Sequence, residues 1–74
     1  MLFRDYVQQR LDQGDNNAAL EGLQNNIICN LVDAVRTVPA EDWGAEISNR
    51  QKEADGQVLI WLEGRSEPSY SIQE

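Results

Sequence analysis

Histidine is absent from these 74 residues and cysteine occurs once. Without histidine there is no Ser–His or Cys–His pair for nucleophilic catalysis. One thiol and no imidazole cannot supply the four ligands of a structural zinc site. Cys29 has no mate, so no disulfide staples the chain internally, and a lone thiol suits a reducing compartment. Long apolar runs are missing too. The longest, Val58 to Leu62, is far short of the roughly 20 residues a membrane helix needs. The opening residues Met1 to Asp5 lack the apolar stretch of a signal peptide. The expected location is therefore the cytoplasm, with no membrane contact. Gly14, Gly22, Gly44, Gly56 and Gly64 are scattered rather than gathered into a phosphate-cradling loop, and no EF-hand spacing occurs.

Basic residues are scarce as well: six against thirteen acids, for a net charge of −7. That field repels a phosphate backbone and opposes direct nucleic-acid binding. The charge is uneven, since residues 1–40 hold five acids and three bases while residues 41–74 hold eight acids and three bases. Solubility alone accounts for such a surface; the more specific reading is a decoy for a basic partner. The length is that of a single small domain spanning residues 1–74. A chain this short buries only about 60% of its unfolded surface. With no disulfide or zinc, the missing stabilisation is expected from a second copy or a tight partner.

What is present is a set of apolar periodicities. Phe3, Val7 and Leu11 recur every four residues beside Leu2 and Tyr6, which predicts a helix over residues 2–13. Arg10 lies between these faces, its stem expected to pack and its head to reach solvent. Gly14 follows as a stop signal. Leu20, Leu23, Ile27, Leu31 and Ala34 repeat at three- and four-residue steps, widened by Ile28, Val32 and Val35. This predicts a second helix over 17–37, ending before Pro39. The short link makes the two an antiparallel hairpin, with Leu23, Ile27 and Leu31 at the centre of the core. On the opposite side of that helix Ala18, Gly22 and Cys29 form a small-residue seam. The seam and the arc through Ile28 and Val32 are the two candidate self-association contacts.

The pattern changes after Pro39. Trp43, Ala45 and Ile47 alternate with polar residues, although Trp43 and Ile47 also fit a helix turn. Residues 48–53 are polar and fit strand or helix. Asp55-Gly56 marks a tight turn, Gln57 to Glu63 is the best strand, residues 64–68 form a loop, and residues 69–72 alternate as a last edge strand. The predicted fold is α+β: a helical hairpin over residues 2–37 packed on a small antiparallel β-meander or hairpin over residues 43–72.

Glu41, Asp42 and Glu46 are close enough to act as paired carboxylates. Acid–base chemistry needs such groups in a preformed cleft, for which this chain has little room, so no enzyme, cofactor or metal site is expected. Trp61 alternates with Ile60 and Leu62 and belongs on the other face of its strand. There it is covered by a loop, belongs to a strand buried on both sides, or is exposed as an aromatic anchor near acids. Trp43 leans toward the core. The expected binding residues are Glu41, Asp42, Glu46, Trp61 and Glu63. They would serve a small acidic regulator or inhibitor that occludes a basic partner protein, such as a nucleic-acid-binding one. The analogy is to small acidic proteins of mobile elements or phages, by size and charge alone. The alternative is an assembly module that dimerises through its helices. A small enzyme ranks last.

Overall fold

Phe3, Tyr6, Val7 and Arg10 fall on one side of helix α1 (Phe3–Asp12), and that side packs on a sheet. The fold is described from a computed structural model over residues 1–73. Helix α1 ends where its sequence says it must. Gly14 takes φ +93°, a left-handed conformation that favours glycine. Gly14 N–H donates to Leu11 O at 3.0 Å and Asp15 N–H to Arg10 O at 3.1 Å. Together these two bonds are a Schellman closure of the helix.

Residues 17–37 do not form the expected second helix. Strands β1 (Ala19–Gly22) and β2 (Ile28–Asn30) make an antiparallel hairpin. A 3-10 turn (Leu31–Asp33) and a single helical turn, α2 (Ala34–Thr37), follow. The helical hairpin is thus replaced by one helix and a β-hairpin. The apolar positions that suggested a 3.6-residue period also fit a two-residue one: Ile27, Cys29 and Leu31 alternate with exposed Ile28. Gly22 and Asn25-Asn26 decide between the periods, because they suit a turn and not a helix interior. Asn26 has φ +57°. A Cβ on Gly22 would lie 1.9 Å from Asn25 Oδ1 and 3.2 Å from Ile27 Cβ.

After Pro39 the short helix α3 (Ala40–Trp43) leads into β3 (Ile47–Lys52), β4 (Val58–Leu62) and β5 (Tyr70–Ile72). Segment 48–53 is therefore mainly strand. Its polarity follows from its place at the sheet edge, where residues 48–52 are all exposed. The turn between β3 and β4 uses Gly56 at φ +92°, and Asp55 Oδ1 accepts from Gln57 N–H at 3.0 Å. The sheet is antiparallel throughout, in the order β2-β1-β5-β4-β3. Strand β5 is thus central and joins the two hairpins, where an edge strand was expected. Burial of all three of its residues reflects that place.

Register assigns the faces. Cys29, Leu20, Ile72 and Val58 stand in one row across the sheet, and Gly22, Tyr70 and Ile60 in the next. These rows face α1, the 3-10 turn and α2, whose Phe3, Val7, Leu31 and Ala34 complete the core. Phe3 stacks on Tyr70 at 4.8 Å between ring centroids and meets Trp43 edge-on at 6.1 Å. Of the expected core centre, Leu31 is buried and Ile27 packs partly against the core, but Leu23 is 37% exposed in the turn between β1 and β2. Arg10 also departs from expectation. Its head is buried, with Nε donating to Asp15 Oδ2 at 2.7 Å and an NH group to Tyr6 Oη at 3.2 Å. Burial opposes the guanidinium charge, but the hydrogen bonds and electrostatic attraction of Asp15 and Tyr6 together outweigh it, and the pKa lies above its ordinary value.

Candidate interaction surface

The inward row of β4 is Val58, Ile60 and Leu62, so Leu59 and Trp61 project from the opposite face of the sheet. Helix α1 covers the inward face, where Phe3 stacks on Tyr70 and Tyr6 meets Arg50, the cross-strand partner of inward Ile60. Leu59 and Trp61 are half-buried on this outer face. Leu59 lies in a row with Ile28, Glu21, Ser71 and Gln51. Trp61 lies opposite Asn49, and Ser48 Oγ donates to Trp61 O at 3.3 Å across a register shift.

Ile47 pairs with Leu62, and Glu63 N–H donates to Glu46 O at 2.8 Å. Glu46 and Glu63 are therefore cross-strand neighbours on the outer face, on the same side as Trp61. Like charges placed this way repel. The Met1 amino group relieves part of the repulsion through an ion pair with Glu46 Oε2 at 2.9 Å. Three of the five expected binding residues, Glu46, Trp61 and Glu63, thus share one corner of the sheet. Glu41 is exposed on α3, outside the sheet.

Asp42 does not belong to that surface, because it is only 4% exposed. Its Oδ2 accepts from Tyr70 Oη at 2.6 Å and its Oδ1 from the Arg65 guanidinium. Tyr70 Oη in turn accepts from Asn25 Nδ2 at 3.0 Å, and Arg65 also donates to Ser69 Oγ at 3.2 Å. The cluster ties α3, β5, the β1–β2 turn and the loop before β5 together. Burial, then the hydrogen bond to Asp42, pushes the Tyr70 phenol pKa well above its usual value. The hydrogen bond to Asp42 also raises the Arg65 pKa. A buried carboxylate with a cation and a phenol donor is a satisfied structural group. Nothing in the spacing of residues 25, 42, 65 and 70 signals it, because the four meet only through tertiary packing.

The expected small-residue seam is not a surface. Ala18 and Gly22 are buried within the chain's own fold, and Cys29 faces inward, half-buried. Burial is the main reason its thiol pKa is raised, which leaves it a poor nucleophile. Ile28 and Val32 are exposed, joined by Val35. Among the described residues, no group of three or more Cys, Asp or Glu is placed to hold a metal ion, and no helix is long and apolar enough to cross a membrane. No family model, curated protein or solved structure matches the chain.

Proposed function

We propose that the protein is a non-enzymatic cytoplasmic regulator that binds another protein through the outer face of its sheet and occludes a basic surface on it. The observation that carries this reading is the corner where Trp61 and Leu59 lie on the face opposite helix α1, with Glu46 and Glu63 paired beside them. Tryptophan supplies the area and rigidity found at binding hot spots. The paired carboxylates are a ready seat for a lysine or arginine, which would also relieve their mutual repulsion. A nucleic-acid-binding protein offers such a cationic surface. The remaining net charge contributes steering.

The test begins with affinity purification from the native cytoplasm and identification of what is retained. Binding kinetics of Glu46→Lys/Glu63→Lys and of Trp61→Ala against the purified partner then separate the roles. Charge reversal is expected to slow association and flatten its salt dependence, and Trp61→Ala to speed dissociation. Circular dichroism must show both variants folded. Folded variants that bind unchanged would move the site off this face.

A further inference from the structure

The two edges of the sheet are built differently. Strand β3 carries Ser48, Asn49, Arg50, Gln51 and Lys52 along its length, and Met1 and Leu2 cover its start through Ile47 N–H to Met1 O at 2.9 Å and a Leu2–Glu46 bridge. Such charge and cover are the usual protection of an edge against further pairing. Strand β2 carries no charged side chain, and its cover lies on the inner face, where Thr37 of α2 bonds the Cys29 thiol. Ile28 is 77% exposed, and Val32 and Val35, in the turn and helix that follow directly, are 52% and 60% exposed.

The hydrogen bonds of the β1–β2 hairpin show which groups of this edge are free. Gly22 N–H donates to Ile27 O at 2.7 Å and Leu31 N–H to Ala18 O at 3.1 Å. Leu20 stands opposite Cys29 between them. Ile27, Cys29 and Leu31 therefore turn their backbone groups toward β1. By alternation, the N–H and C=O of Ile28 and the N–H of Asn30 point away from the sheet, whereas Asn30, as N-cap of the 3-10 turn, gives its C=O to the first bond of that turn. Among the described residues, strand β2 pairs with β1 alone.

We propose that β2 pairs antiparallel with β2 of a second copy about a two-fold axis at Cys29, making one continuous sheet from two. In this register Ile28 of each copy faces Asn30 of the other, and Asn30 N–H of each donates to Ile28 C=O of the other. A pairing centred on Ile28 would instead set Asn30 against Asn26, which is in a left-handed turn conformation. Charge selects a second copy. A two-fold interface lays a surface against itself, so a chain of net charge −7 can meet its copy only through a neutral patch. Residues 16–32 contain one charged side chain, Glu21, and Asp33 beyond them is paired with Arg36. The contact is small. A three-residue strand and three apolar side chains fall short of the roughly 800 Å² per partner of a stable interface, so the dimer is weak and depends on concentration. At this register the two Cys29 residues form a non-hydrogen-bonded pair. Their Cα atoms are then about 4.5 Å apart, within the roughly 4.4–6.8 Å range of a disulfide.

Sedimentation from micromolar to millimolar concentration tests the proposal. The average mass is expected to rise from 8.4 kDa toward twice that value. Ile28→Lys should hold the chain monomeric with an unchanged melting curve, because Ile28 is exposed. At the higher concentrations diamide should link two Cys29 thiols, taking up the two electrons and two protons released, and Ile28→Lys should abolish the product. Trp61→Ala should leave self-association intact, which separates this edge from the outer-face site. A monomer at every concentration would overturn the proposal and leave the edge to a strand of another protein. A dimer indifferent to Ile28→Lys would overturn it equally.

Discussion

Replacing Tyr70 by Phe isolates the buried cluster around Asp42. The ring and its stacking on Phe3 remain, and only the hydroxyl is lost. That hydroxyl donates to Asp42 at 2.6 Å and accepts from Asn25 at 3.0 Å. A hydrogen bond to a charged group contributes about 1.5–3 kcal/mol. Asn25 lies at the surface and can turn to water, but Asp42 is 4% exposed and keeps only Arg65. The expected loss is therefore about 2–3 kcal/mol, a sizeable share of a total stability of about 5–15 kcal/mol. At about 4–8 °C per kcal/mol for a chain of this size, the melting temperature should fall by roughly 10–20 °C. The loss should also depend on pH. The Tyr70 pKa is raised in the folded protein, so its contribution is complete below the unfolded value of about 10 and is lost as pH rises toward the folded value. Above pH 10 the parent protein should lose up to about 1.4 kcal/mol per pH unit from this group, whereas Tyr70→Phe should not. Urea denaturation of both proteins at pH 7, 9 and 11 measures the gap, and other titrating groups common to both cancel. A difference below about 0.5 kcal/mol at pH 7, where the hydrogen-bond estimate requires more, would refute the reasoning. So would a gap that stays constant from pH 9 to 11.

Two further stability measurements and two association measurements complete the expectations. Leu31→Ala should cost about 2–5 kcal/mol, as for a buried truncation, while Leu23→Ala should cost less than about 1 kcal/mol because its side chain is partly in water; equal losses would restore a helix through both. Gly22→Ala should push Asn25 aside and break its bond to Tyr70, lowering stability by about 1–2 kcal/mol; an unchanged urea midpoint would show that the turn relaxes freely. Glu46→Lys/Glu63→Lys should slow partner association and flatten its salt dependence. Ile28→Lys should abolish concentration-dependent growth in sedimenting mass.

Local chemistry determined much of the chain from the sequence alone. The stripe of Phe3 and Val7 followed by Gly14 specifies α1 and its end, because helix period and a left-handed stop are properties of neighbouring residues. Asp55-Gly56 and the β-branched run after it specify the second hairpin in the same way. Strand alternation also placed Trp61 on the face opposite Ile60 and Leu62. Residues 17–33 were different. Leu20, Ile27 and Leu31 satisfy a helix and a strand equally, and the pairing of Leu20 with Ile72 and of Gly22 with Tyr70 holds the strand. Gly22 and Asn25-Asn26 are the local signs of that outcome, set against a broad apolar stripe that fits a helix equally well. The position of β5 between two hairpins, the burial of Asp42 and the meeting of Glu46 with Glu63 were decided by tertiary structure. Each depends on residues distant in sequence arriving at one place, and no spacing along the chain records which strands become neighbours.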